Sequence, residues 1–169
     1  MEGVRIWAGH FGMRCGLPAA VVGDLEIAAR WHDAGKVDPR FQRLLRGGSP
    51  LADVASEPLA KSRIVAADRA TRARAMERSK YPTGGRHELS SVSLLEKGAT
   101  LLASATDRDL VLHLVASHHG WCRPFAPVVE DREPVDLMLD ANGVQIRVSS
   151  KHDVAALDSG IPERFWRLV

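Results

Sequence analysis

The stretch Ala19-Ala20-Val21-Val22-Gly23-Asp24-Leu25-Glu26-Ile27-Ala28-Ala29-Arg30-Trp31-His32-Asp33-Ala34-Gly35-Lys36 decides how this chain is read. Val21, Val22, Leu25, Ala28 and Ala29 recur at helical spacing and make one apolar face. Pro18 suits a first helical turn and Gly35 a stop, so a helix is predicted over 19–31. It delivers an imidazole and a carboxylate, His32 and Asp33, at its C-terminal end. Neighbouring side chains on a helix diverge by about 100°, so such a pair flanks one cation only near a helix end. A bare His-Asp dipeptide is also readily a core histidine beside a capping acid. The chain supplies its own comparison: His152-Asp153 repeats the dipeptide, but no apolar run precedes it and no Gly-Lys follows. That second pair is assigned to loop or capping chemistry. Lys36 lies just beyond the stop, where its ammonium either meets a substrate phosphate or is simply solvated.

Outward from this stretch the pattern is helical. Val4 to Arg14 reads as a short helix closed by Gly16, and Asp38-Pro39 caps and opens another, with Phe41, Leu44 and Leu45 as its expected buried side. Leu59 to Ser79 is rich in alanine and arginine and predicts a helix on propensity. His87 to Lys97 and Asp107 to His118 follow as two more. After Gly120 the texture changes. Val135–Leu139 and Val144–Val148 alternate apolar and polar residues around Asn142-Gly143, which predicts a β-hairpin within 134–149. Pro162 starts a last helix over Glu163–Val169. The expected organisation is one domain over residues 1–169.

Two further blocks carry ligand-type side chains. His87-Glu88 opens a helix after Gly84-Gly85-Arg86, and His118-His119 ends an apolar helix before Gly120. Both rings of a tandem pair need hydrogen-bond partners, which core packing does not readily supply. Imidazoles with a carboxylate are a mixed N/O set of the kind divalent transition metals take. His113, in the same helix, reads as an ordinary surface or packing histidine.

Composition narrows the classes. A chain of 169 residues with 45% hydrophobic content is long enough to bury a core. Net charge is only +2, so the total gives no case for nucleic acid. The distribution says more: Lys61, Arg63, Arg69, Arg72, Arg74, Arg78, Lys80 and Arg86 crowd one stretch, which either guides a polyanion or forms a solvated helix face. Cys15 and Cys122 form no CxxC pair, which argues against a disulfide scaffold or a thiolate zinc site and fits a reducing cytoplasm. No apolar run approaches membrane-spanning length. Trp121, Phe125 and Trp166 could stack on bases, but aromatic residues beside a hairpin and a terminal helix are more often core, and core is the expectation.

Ala29-Arg30-Trp31-His32-Asp33-Ala34-Gly35-Lys36, followed by Phe41-Gln42, resembles the HDxGK and FQ elements of the HD nuclease domain of the type I CRISPR-associated nuclease-helicase, within the HD phosphohydrolase superfamily. Arg86-His87-Glu88 with Ser90-Ser91 resembles its RHE-x-S block, and Ser117-His118-His119-Gly120 with Arg123-Pro124 its HHG-x-x-RP block. The blocks match in order over residues 29 to 124. The resemblance implies a mainly α HD-domain bundle with a small hairpin inserted before the last helix. It implies one or two divalent ions (Mn, Ni, Co, Fe or Mg) and cleavage of single-stranded DNA in antiviral defence. The implied partners are a superfamily-2 helicase, fused or separate, and an RNA-guided surveillance complex. His32, Asp33, His87, His118 and His119 are the implied ligands, with Asp33 bridging two ions and catalytic together with Lys36. Lys36, Arg86 and Arg123 are the implied substrate contacts.

The chain departs from that pattern twice. The family's earlier histidine, on a first helix, has His10 as its only candidate here, at a spacing that fits poorly. Its late aspartate has only Asp153 and Asp158, which precede the last helix. A chain trimmed at both ends and lacking ligands for one ion is therefore expected as an alternative. Two other activities stay open: an HD phosphohydrolase acting on nucleotides, and an inactive HD-like docking module.

Overall fold

The computed structural model describes residues 2–49, 57–62, 68–141, 143–151 and 159–169. The fold is mainly α, with a two-stranded antiparallel hairpin before the last helix. In order these are α1 (Glu2–Arg14), α2 (Ala19–Trp31), a 3₁₀ turn (Ala34–Val37), α3 (Pro39–Leu45), α4 (Arg69–Ser79) and α5 (His87–Lys97). A second 3₁₀ turn (Ala99–Leu102), α6 (Arg108–Ser117), β1 (Asp136–Ala141), β2 (Val144–Ser149) and α7 (Ile161–Leu168) complete the order.

The core forms where α2, α5, α6 and the hairpin meet. Leu89, Val92, Leu94 and Leu95 of α5 and Val111, Val115 and Ala116 of α6 are buried against Ala28 and Trp31 of α2. The hairpin contributes by strict alternation: Leu137, Leu139 and Ala141 point inward while Asp136, Met138 and Asp140 face out. Gly143 has φ 76°, as its two-residue turn requires, and Ala141 pairs with Val144 across it. The other end of α6 is tied to α2 by a carboxylate. Buried Asp24 accepts hydrogen bonds from the Thr106 and Asp107 amides, at 2.8 and 2.9 Å, just before that helix begins.

Three expectations need correction. The helix predicted over Leu59–Ser79 is shorter: residues 57–62 are not helical, and α4 starts at Arg69 because Asp68 accepts the Thr71 amide at 2.7 Å and caps it there. Alanine and arginine propensity says a helix is easy but not where it begins. The second correction is the buried side of α3, which is polar: Arg40 and Gln42 are buried, while Phe41, Leu44 and Leu45 are half-buried. The last helix also begins two residues early, at Ile161, since Pro162 costs nothing where no N–H is needed. His152-Asp153, Asp158, Arg63 and Asn142 lie outside the described residues.

Gln42 earns its burial with four hydrogen bonds. Its Nε2 donates to the Lys36 and Leu59 carbonyls at 2.7 and 3.0 Å, and its Oε1 accepts from the Leu59 amide and Arg46 at 2.7 Å each. Arg40 has two carboxylate partners, Asp38 and Asp131, and a carbonyl, Glu133. Through Asp131 and Ser150 this network ties α3 to the segment leading into and out of the hairpin.

Burial alone would push the Asp131 carboxyl upward, but Arg40 and Ser150 overcome it and hold the group below its ordinary value. A carboxyl lowered in the folded state stabilises the fold above its unfolded pKa and loses that contribution as pH falls through the folded one. Asp131→Asn should therefore cost about 2 kcal/mol at neutral pH. The difference from wild type should shrink below about pH 4. Urea denaturation at both pH values checks it; an equal penalty at low pH would refute the ionic assignment.

Candidate metal centre

The C-terminal end of α2 breaks in a way that resolves the helical divergence of His32 and Asp33. His32 is still helical (φ −51°, ψ −34°), but Asp33 moves to φ −99°, ψ 9°. The carboxylate thereby turns beside the imidazole, with His32 Nε2 3.3 Å from Asp33 Oδ2. The 3₁₀ turn that follows lies directly on the first turn of α5. A Cβ on Gly35 would penetrate the His87 carbonyl oxygen and sit 2.6 Å from Ser90 Cβ and 2.7 Å from the Ser91 amide nitrogen. Only a hydrogen side chain permits that approach. Buried Ser91 fastens it: its Oγ accepts the Gly35 N–H at 2.8 Å and shares its proton between the His32 and His87 carbonyls at 2.8 and 3.0 Å.

This contact brings His87 against Asp33, with Nε2 3.1 Å from Oδ1. The end of α6 supplies His118, whose Nε2 is 3.9 Å from the same oxygen, and His119. Among the described residues, His87, His118 and His119 each offer a ligand atom within 4.8 Å of the others. Three features of these imidazoles suit cation binding. His32 Nδ1 and His118 Nδ1 donate to the Ala29 and Val115 carbonyls at 2.8 and 2.7 Å. A carbonyl can only accept, so each Nδ1 carries the proton. Burial, with His119, His32 and His87 close by, holds His118 below the usual imidazole value, so it is neutral with a lone pair on Nε2. Finally, Nε2 of His118 is buried without a hydrogen-bond partner, and the buried Nε2 of His87 faces the Asp33 carboxylate at 3.1 Å. A buried unsatisfied ring nitrogen is costly, and a divalent ion would engage both nitrogens at once. The residues present fit such an ion.

Asp33 is acidic in the extreme. Burial pushes its carboxyl up, but His32, His87 and Lys36 outweigh this and hold it far below the ordinary carboxylate range. In turn, the hydrogen bond with Asp33 raises His32. Lys36 is not a solvated side chain: its Nζ donates to Asp33 Oδ2 at 2.8 Å and to the Ala60 carbonyl at 3.1 Å. The Oδ2 side of Asp33 therefore already faces a fixed ammonium and His32, while Oδ1 faces His87 and His118.

Other sequence candidates sit elsewhere or at the rim. His10 is exposed on α1, its ring against the exposed Trp7 and Phe11 at 5.9 and 6.3 Å, apart from the histidine cluster. Arg86 stacks on Trp121, 4.5 Å from the ring centroid. Arg123 is exposed and makes a long 3.5 Å contact with the Ser117 carbonyl. Trp121, Phe125 and Trp166, expected in the core, are 44%, 58% and 64% exposed; the first two lie on the segment that turns after Gly120, and Trp166 lies on α7.

Two residues named in the sequence blocks make contacts that the sequence did not indicate: Ser91, described above, and Glu88. Glu88 is only 2% exposed, with Oε2 3.4 Å from His87 Nδ1 and Oε1 unpartnered. A carboxylate behind a ligating histidine fixes its tautomer and raises its basicity. The adjacency in Arg86-His87-Glu88 was the available signal.

Residues 19–162 match the family model described as "Cas3, HD domain". The chain belongs to that family. The match spans α2 through the first residues of α7 and leaves α1, with His10, outside. No curated protein and no solved structure matches the chain. Membership of the Cas3 HD family makes this a CRISPR-associated HD nuclease domain by descent, with nucleic acid as the substrate class. No helix among the described residues is long and apolar enough to cross a membrane.

Gly35→Ala should force the 3₁₀ turn off α5 and destabilise the fold by about 1–3 kcal/mol. The His32 and His87 imidazole resonances should shift together. An unchanged urea midpoint with unmoved imidazole signals would refute the packing argument.

Proposed function

We propose that this domain is a metal-dependent nuclease that cleaves single-stranded DNA in CRISPR interference, with Asp33, His87, His118 and His119 holding the divalent ion. The observation that supports this reading is the convergence of the buried Nε2 atoms of His87 and His118 on one oxygen of an ionised Asp33, at 3.1 and 3.9 Å. Charge favours one ion on the Oδ1 side, since Lys36 occupies Oδ2. His32 would orient Asp33 from that second side unless the Lys36 pair opens.

A divalent ion bound there supplies Lewis acidity, making a water acidic enough to act as nucleophile and drawing charge from the phosphate oxygens. The remaining steps belong to the chain's own residues. Val115 and Ala29 hold His118 and His32 in one tautomer, so no reorganisation is needed on binding. Glu88, with Oε2 3.4 Å from His87 Nδ1, backs the third ring. Lys36 keeps Asp33 ionised and in place, and on release from Oδ2 its ammonium can meet a phosphate oxygen where negative charge develops. Arg86 and Arg123, at the rim, are the cations best placed for the flanking phosphates. The helicase and the RNA-guided surveillance complex would deliver the strand.

Wild-type chain with Mn²⁺ should cut a single-stranded oligonucleotide, and Asp33→Ala should abolish cutting. Glu88→Gln should weaken Mn²⁺ binding about 10–100-fold while leaving the fold intact. Activity that survives in Asp33→Ala would overturn the assigned site. A chain that binds no ion and cuts nothing would favour the docking module, and preference for mononucleotides over strands would favour the phosphohydrolase.

A further inference from the structure

We propose that Trp121 is a stacking platform for an unpaired nucleobase, next to the phosphodiester that the histidine cluster would cleave; the inference rests on the nuclease reading and names how that site recognises its strand. A large indole left 44% exposed is poorly explained as packing. Its position is also specific. Trp121 follows His119 by two residues, so their Cα atoms are at most about 7.6 Å apart, a reach commensurate with one or two nucleotides.

The indole is braced from the other histidine-bearing segment. The Arg86 guanidinium lies over the ring, 4.5 Å from its centroid, and Arg86 immediately precedes His87. The Arg86–Trp121 stack thus bridges the two segments that carry the cluster. It fixes the ring plane and leaves the exposed indole surface for a partner. Arg86 Nε is buried without a hydrogen-bond partner, so the cation is held here by the stack and not by a carboxylate through that nitrogen. Beyond Trp121, a tight turn closed by the Cys122 amide on the Phe125 carbonyl at 3.1 Å presents exposed Arg123 and a second ring, Phe125.

Aromatic surface interleaved with fixed positive charge is complementary to a single strand, whose bases offer π-faces and whose backbone offers phosphates. In a duplex both faces of each base are already stacked, so the platform favours unpaired DNA without reading sequence. Trp166 is more exposed, at 64%, but lies on α7 with its ring against Phe165 and has no such arginine stack over it among the described residues.

The test uses the full chain with Mn²⁺ and a fluorescein-labelled oligothymidylate. Trp121→Ala should weaken strand binding, read by anisotropy, about tenfold or more, with Trp121→Phe recovering most of it and Trp166→Ala unchanged. An abasic nucleotide beside the cut position should cost wild type a similar factor and Trp121→Ala nothing further. Equal binding by Trp121→Ala and wild type overturns the platform and leaves the nuclease reading standing. Loss of Mn²⁺ affinity together with strand binding, read by metal titration, also overturns it, because Trp121 would then be a structural brace. Tight, Trp121-dependent binding by a wild-type chain that never cuts supports the platform and removes the nuclease reading.

Discussion

The contact on which the rest of the structure depends is the approach of the Gly35 backbone to the first turn of α5, closed by the Ser91 hydroxyl. It is short-range, buried and intolerant of a single methyl group. Everything chemical about the site follows from it. Without that approach His32 and Asp33 end one helix, His87 begins another, and no cation can see both. With it, one serine oxygen touches the backbone at residues 32, 35 and 87, so the three positions move as a unit. The glycine of His32-Asp33-Ala34-Gly35-Lys36 is thus a packing requirement imposed from another helix, and its role as a helix stop is secondary.

Polar burial is the recurring device. Asp24 fastens the start of α6, Gln42 and Arg40 fill the inner side of α3, and Glu88 backs His87. Each is a group that would cost free energy inside a protein unless its partners were in place. Such groups specify geometry more sharply than apolar contacts, which tolerate sliding. A site that must hold several imbalanced charges at fixed distances is well served by a scaffold of this kind.

Much of this was legible in the chain. The periodicity of Val21, Val22, Leu25 and Ala28, the Asp38-Pro39 opening of α3 and the Asn142-Gly143 turn each fix local structure through local chemistry, and the structure has helices and a hairpin there. The side chains the structure gathers around Asp33 were also those marked by their type and order. What was not legible shares a cause: it depends on partners distant in sequence. The burial of Arg40 and Gln42 needs Asp131 and Leu59, the pairing of Lys36 needs Asp33 turned by a broken helix end, and the exposure of Trp121 needs the path after Gly120. Propensity cannot report these. The start of α4 at Asp68 is the exception, a local cap that was readable and was outweighed by alanine and arginine counts.

The carboxamide of Gln42 has a consequence beyond α3. It grips the chain at Leu59, and one residue later the Ala60 carbonyl receives the same ammonium that neutralises Asp33. The course of that outer strand of polypeptide and the electrostatic setting of the central acid are therefore a single mechanical variable. A surface segment thus helps to set the charge environment of a half-buried carboxylate two contacts away.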